Sequence, residues 1–327
     1  ADARGILGTG MTVAGLSSIG PCRRTIAQDG AAGPIQLQTT DKYCMDGARL
    51  RLVSGTYGAS GAVYQTELEQ FARITSYDSV NGQPGWFKVE TRDGLIHEYG
   101  HSTDSVLRAG TQPSSPIQLW AVSSIRDRSG NAIVFRYQND PAARLFRPDF
   151  IRYTDSALAG SGRYTIRFTY QATTRPDIVY TYTPSGVGGA SRIETGLLDR
   201  IELRHDEATY RQLLFTYEAG AGTNTRLHTV QTCAASNSDC FPATTFTWQS
   251  ATAGHAAPSG SAALDAWTVI PLDVNGDGFE DLVWASDTWW YMLGGASGYG
   301  AATNSGATAV NPWLAMPLDW NGDGRGD

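Results

Sequence analysis

The chain has 327 residues, a formal net charge of −7 and 17% charged residues, a length that corresponds to about two domains. Glycine fills 37 positions and aromatics make up 10%; the aromatics argue against disorder, and so few charges with so many glycines argue against long exposed helices. No run approaches about 18 apolar residues, so a membrane-spanning helix is excluded, and with only Lys42 and Lys88 as lysines a phosphate loop is excluded and a general nucleic-acid binder disfavoured.

The opening segment, ADARGILGTGMTVAGLSSIGPCRR, lacks a charged region followed by a sustained apolar stretch, so it does not read as a signal peptide. It reads as the inside of a domain. The final WNGDGRGD stops within a loop motif, and both ends are expected to belong to a longer protein. The cysteines form two local pairs, Cys22 with Cys44 and Cys233 with Cys240. Four cysteines permit three connectivities; local disulfides, and hence export, are preferred, because CxxC spacing is absent and no histidine lies near either pair.

Residues Glu67 to Thr75 suit a short helix or a strand equally. Trp86 to Thr91 and Leu95 to Tyr99 flank Arg92-Asp93-Gly94, a strong hairpin turn. Ile117 to Ile125 and Ala132 to Tyr137 flank a longer loop at Asp127 to Asn131. Ile133, Phe135 and Tyr137 alternate with outward Arg136; Tyr164, Ile166, Phe168 and Tyr170 alternate with Thr165, Arg167 and Thr169. A period of two predicts strands with one buried and one wet face. Leu197 to His205 and Thr209 to Tyr217 flank a turn at Asp206-Glu207. Successive hairpins of this kind predict an all-β fold, an extended or rolled sheet over 1–249. The small, polar run SATAGHAAPSGSAA reads as a linker within 250–264, and 265–327 as a repeat region.

That last region repeats itself. WTVIPLDVNGDGFED begins at Trp267 and WLAMPLDWNGDGRGD at Trp313, an offset of 46 residues, which suits the start of a β-propeller-type array. Each copy carries a loop rich in oxygen ligands. In the first, Asp273, Asn275, Asp277 and Asp281, with the carbonyl of Phe279, can curl around one hard cation. In the second, Asp319, Asn321, Asp323 and Asp327, with the carbonyl of Arg325, can do the same. Oxygen-only ligands favour a structural Ca²⁺. Position 12 of the first loop is Trp284, so this is not an EF-hand; an Asx-turn loop without metal is the alternative.

His97-Glu98-Tyr99-Gly100-His101 matches HExxH literally. In metalloproteases a helix sets both histidines on one face with the Glu as base. Here the segment follows a hairpin turn, and on a regular strand His97 and His101 sit about 13 Å apart. A hairpin strand is the preferred reading and a zinc protease a weak alternative. The Trp289-Trp290-Tyr291 cluster reads as sheet core, with stacking on a sugar as the alternative.

The segments GLSSIGPCRRTIAQDG, DKYCMDGARL, DGLIHEYG, LWAVSSIRDRSGNAIVFRY and CFPATTFTW resemble the N-terminal domain of SpvB-like proteins, which insecticidal toxin complex B components share and which is related to Rhs (YD-repeat) proteins. The resemblance covers residues 5–249; the tail resembles FG-GAP/VCBS repeats. It implies a hairpin-built β shell that encapsulates or presents a toxic effector and docks to a translocation partner. On that basis the chain is expected to be a non-catalytic, secreted structural module with an effector domain or toxin-complex subunits as partners. A cell-surface binding module for a host glycan or protein is the second expectation.

Overall fold

The computed structural model describes residues 4–156, 160–182, 190–220, 224–248, 269–277, 279–295 and 298–309. The expected linker and the whole second cation loop, Asp319 to Asp327, lie outside them. The chain divides into two compact units, Ala1–Trp248 and Gln249–Asp327. Apart from one short helix, α1 (Ile26–Asp29), and one 3-10 turn (Thr103–Ser105), the regular structure described is β.

The first unit opens with a minimal hairpin, β1 (Arg4–Gly5) and β2 (Gly8–Thr9). Then come β3 (Ser18–Cys22), β4 (Lys42–Met45), β5 (Ala48–Ser54), β6 (Val63–Thr66), β7 (Arg73–Tyr77), β8 (Trp86–Glu90), β9 (Ile96–Tyr99), β10 (Val106–Arg108) and β11 (Ile117–Arg126). Strands β3 to β9 pair in order, and β11 pairs with both β3 and β9. The eight strands β3–β9 and β11 therefore close on themselves as an antiparallel barrel, which leaves no edge along that circuit. Closure was not legible in the hairpin pattern, because β3 and β11 are far apart in sequence.

An eight-stranded barrel is narrow enough for side chains to fill. Its inward face carries Ile19, Tyr43, Leu50, Tyr64, Ile74, Phe87, Val89, Tyr99, Trp120 and Val122, all buried. The Trp120 ring meets Tyr43 edge-on at 5.4 Å and Phe87 at 5.2 Å, and its indole N–H donates to the carbonyls of Pro84 and Gly85, both at 3.1 Å. The rings supply area and the indole N–H is satisfied, whereas the buried Tyr43 hydroxyl has no hydrogen-bond partner among the described residues. Gly100, just past β9, has φ +72, and a side chain there would overlap the Trp120 indole.

Between β4 and β5 the ladder is short, only Cys44↔Arg49 and Met45↔Ala48. Tyr57 completes it: its hydroxyl accepts the Tyr43 backbone N–H at 2.7 Å. Cys22 and Cys44 form a disulfide across β3 and β4.

The sheet runs on from β11 through β12 (Asn131–Asp140), β13 (Leu145–Ser156) and β14 (Tyr164–Tyr170). A separate ribbon, β15 (Val179–Tyr182) and β16 (Ala190–Glu194), intervenes in sequence. The main sheet resumes with β17 (Leu198–His205), β18 (Ala208–Ala219), β19 (Thr225–Ala234) and β20 (Thr244–Thr245). All three hairpins read from the sequence are present. The turn joining β17 to β18 holds Asp206 and Glu207 at φ 47 and 67, the left-handed pair a two-residue hairpin needs. Arg163 pairs with Asp206 and Arg204 with Glu207, fixing that non-glycine turn.

The second core packs one face of this strip. Ile6 and Leu7 join Phe168, Leu198, Phe215 and Leu227, so the amino-terminal segment covers strands far along the chain. Two burial expectations need correction: Ile133 is 38% and Tyr164 37% exposed. The amino-terminal segment is too short to cover the whole strip, and Tyr164 instead stacks at its margin on Tyr153 and His205. Glu67–Ala72 forms neither helix nor strand, and the strand begins at Arg73.

The second unit contains one antiparallel sheet, β21 (Val269–Leu272), β22 (Asp281–Ala285), β23 (Thr288–Met292) and β24 (Thr303–Thr308). The described residues hold this single sheet and no array of blades.

Candidate functional site

The HExxH segment is strand β9 rather than a helix. Val89↔His97 and Lys88↔Glu98 pair it with β8, and Ile125↔His97 and Ser124↔Glu98 with β11. An extended strand does not bring His97 and His101 onto one ion as adjacent turns of a helix do, and alternation sends His97 and Glu98 to opposite faces, so the arrangement of a metalloprotease is not formed. Among the described residues no three His, Cys, Asp or Glu side chains converge as a metal-binding group.

Glu98 does something else. It is buried, and its carboxylate accepts from His101 Nδ1 at 2.9 Å, Ser124 Oγ at 2.9 Å and Arg126 Nη2 at 2.5 Å. Ser124 and Arg126 belong to β11, so Glu98 clamps the very pair of strands that closes the barrel. Burial pushes its carboxyl up, but the hydrogen bonds from His101 and Ser124 and the charge of Arg126 outweigh this and hold it below the usual carboxylate range. His101 itself stacks on Trp86 at 4.1 Å, and Trp86 on Tyr77 at 4.3 Å. Burial pulls the proton affinity of His97 down, with Asp93 opposing. Glu98 and His101, two of the residues that looked like protease machinery, belong to the barrel seam.

A second polar centre lies in the strip. The Arg175 and Asp177 side chains are 0% and 1% exposed, with Nε to Oδ1 at 2.9 Å and Nη2 to Oδ2 at 3.1 Å. Asp177 also accepts from the Thr225 backbone N–H at 2.8 Å and hydroxyl at 2.7 Å, while Arg175 Nη1 donates to the Gly5 carbonyl at 2.7 Å. Burial raises the Asp177 carboxyl, yet the hydrogen bonds from Arg175 and Thr225 and the Arg175 charge bring it down to about 2. This pair ties the amino-terminal segment to β19. Nothing in the sequence marked it, because its members are close neighbours only of each other and meet Gly5 and Thr225 through the fold.

In the second unit the first of the two loops read from the sequence as cation sites is described except for position 278. Asp273 Oδ1 accepts the Gly276 N–H at 2.7 Å, Asn275 Oδ1 the Asp277 N–H at 3.0 Å, and Asp277 Oδ1 the Phe279 N–H at 2.9 Å. Asp281 is wholly buried, and its two oxygens accept from Val274 N–H at 2.8 Å and Gly294 N–H at 2.6 Å. The donor set is all oxygen, the chemistry of a hard-cation site, but Asp273, Asp277 and Asp281 do not converge as a metal-binding group in this structure. Trp289, Trp290 and Tyr291 are half-buried on β23, with Trp290 stacked over Trp284 at 6.3 Å. Cys233 and Cys240 are joined at the margin of β19. No helix among the described residues is long and apolar enough to cross a membrane.

Comparison with known proteins places these features. The family profile described as Salmonella virulence plasmid 65kDa B protein, SpvB, matches residues 50–188. No curated protein matches the chain. Among solved structures, the Tc holotoxin pore of Photorhabdus luminescens superimposes with a TM-score of 0.65 at 16% identity, covering 99% of this chain and 18% of that one. A TcdB2-TccC3 crystal structure gives 0.59 at 15% identity over 98% of this chain and 19% of the other. The N-terminal domain of the effector SpvB from Salmonella typhimurium strain LT2 gives 0.56 at 19% identity, covering 71% of this chain and 91% of that one. The chain thus spans about a fifth of the Tc toxin chains that it matches. Residues 50–188 are similar to the SpvB family profile, and the fold is similar to that of the SpvB N-terminal domain and of a portion of the Tc toxins.

Proposed function

We propose that the chain is a non-catalytic structural module of a secreted SpvB/Tc-type toxin, part of a shell that encapsulates or presents an effector and docks to a toxin-complex partner. The observation that carries this reading is the superposition of 99% of the chain on a Tc holotoxin. The clamped barrel and the continuous antiparallel sheet support it, since a wall needs rigidity and closed edges. The polar centres act in the same direction: Glu98 holds the barrel seam and Arg175–Asp177 the amino-terminal cover.

Limited proteolysis of the native protein that carries this chain tests the shell. Effector sequence is expected to resist protease until detergent or acid opens the wall. Effector sequence digested as fast in the intact protein as in the opened one refutes encapsulation.

The oxygen chemistry of the first loop is the ground for proposing a structural Ca²⁺ held by Asp273, Asn275, Asp277 and Asp281, with the Phe279 carbonyl, the carboxylates drawing together on binding because they do not converge in this structure. The cation would crosslink the loop between β21 and β22 and supplies no reaction step.

A further inference from the structure

A cleft of about 470 Å³ in the first unit lies beside the barrel and is lined largely by apolar groups, including Val80, Leu107, Pro113 and Leu145. Arg108 opens into it from β10, a three-residue strand that pairs with β11 alone. A register shift between Leu107 and Arg108 interrupts that pairing. Irregularities of this kind re-aim a side chain out of the regular alternation.

Arg108 is half-buried and differs from the arginines that the fold pairs with acids. Arg49 has Asp29, Arg147 has Glu194 and Arg175 has Asp177. Among the described residues Arg108 has one hydrogen bond, from Nη1 to the Ser115 carbonyl at 3.0 Å, and no carboxylate within ion-pair distance. Two acids line the same cleft, but each is engaged elsewhere. Asp78 accepts the Trp86 indole N–H at 3.0 Å, and Asp140 accepts the backbone N–H groups of Ala142 at 2.9 Å and Ala143 at 3.1 Å. Burial draws the Arg108 guanidinium below its ordinary proton affinity, with no acidic neighbour to oppose it. A half-buried cation of this kind raises the free energy of the empty cleft, and an anion that pairs with it there recovers that cost.

We propose that this cleft is a binding site for a small carboxylic acid with an apolar body, its carboxylate paired with the open edge of the Arg108 guanidinium and its body against Leu107, Val80 and Leu145. A planar guanidinium edge matches a carboxylate in a bidentate pair. The apolar lining selects against small, fully hydrated anions such as phosphate.

Titration calorimetry on the full chain with 4-phenylbutyrate tests this, beside inorganic phosphate and the neutral analogue 4-phenylbutanol. The expected result is saturable binding of 4-phenylbutyrate with a Kd of about 1 mM or tighter, and binding of the alcohol and of phosphate at least about tenfold weaker. Arg108→Gln is expected to weaken the acid about tenfold or more, and Arg108→Lys less, because a single ammonium keeps the charge and loses the fork. Ala109→Phe, which fills the cleft and leaves Arg108 in place, is expected to abolish binding. Absence of saturation by about 20 mM, equal affinity for acid and alcohol, equal affinity for phosphate, or undiminished affinity in folded Arg108→Gln or Ala109→Phe protein overturns the proposal. The three wild-type titrations decide by themselves if neither variant folds.

Discussion

Replacing Asp177 by Asn removes one charge from the least accessible ion pair described in the first unit. Arg175 stays behind with a side chain 0% exposed, and the new amide turns an NH₂ toward donors that the carboxylate had accepted, the Thr225 N–H and hydroxyl among them. Breaking a buried pair from one side costs about 3–5 kcal/mol. The ionisation supplies a separate measure. Asp177 is depressed from the ordinary 3.8 to about 2, and that depression corresponds to roughly 2 kcal/mol of stability at neutral pH. A carboxyl depressed in the folded state contributes fully above its unfolded value and loses that contribution as pH falls through the folded one. The wild-type advantage is therefore expected to be constant at neutral pH and to shrink between about pH 4 and about pH 2. Denaturant unfolding followed by tryptophan fluorescence measures both. Because Arg175 holds Gly5, the variant is also expected to lose its amino-terminal segment to protease sooner. A variant within about 0.5 kcal/mol of wild type, or a gap that does not narrow with acid, refutes the reasoning.

Gly100→Ala forces a side chain into the Trp120 indole at φ +72, and denaturant unfolding is expected to show a loss of about 2–4 kcal/mol. The disulfides are expected to contribute unequally. Cys22–Cys44 spans 22 residues and Cys233–Cys240 spans 7, so double-serine variants should lose about 3 and about 2 kcal/mol on the loop-entropy account; calorimetry showing the shorter bridge to matter more contradicts that account. Calcium is expected to raise the melting temperature of the second unit in wild-type protein and to leave Asp277→Asn unmoved. An identical melting temperature with calcium and with chelator removes the ion from this loop.

Much of the fold was written locally. The hairpin turns at Arg92-Asp93-Gly94 and Asp206-Glu207, and the alternation along Tyr164 to Tyr170, depend on neighbours within a few residues, and the strands stand where that logic puts them. The strand reading of His97 to His101 follows from the same short-range rules. Burial along the strip did not follow, because it depends on what covers each face. Ile6 and Leu7 protect Phe168 and Leu198, while Ile133 and Tyr164 stay partly open.

What the sequence determined by itself is the all-β character, the hairpin positions and the family resemblance, all carried by short runs of residues. Tertiary structure alone decided that β11 meets both β3 and β9 to close a barrel, that Glu98 clamps this closure, that Arg175 and Asp177 reach Gly5 and Thr225, and that Arg108 lines a cleft whose acids are engaged elsewhere. Each of these depends on contacts between residues distant in the chain, and residue type and spacing do not specify which distant groups a closed sheet brings together.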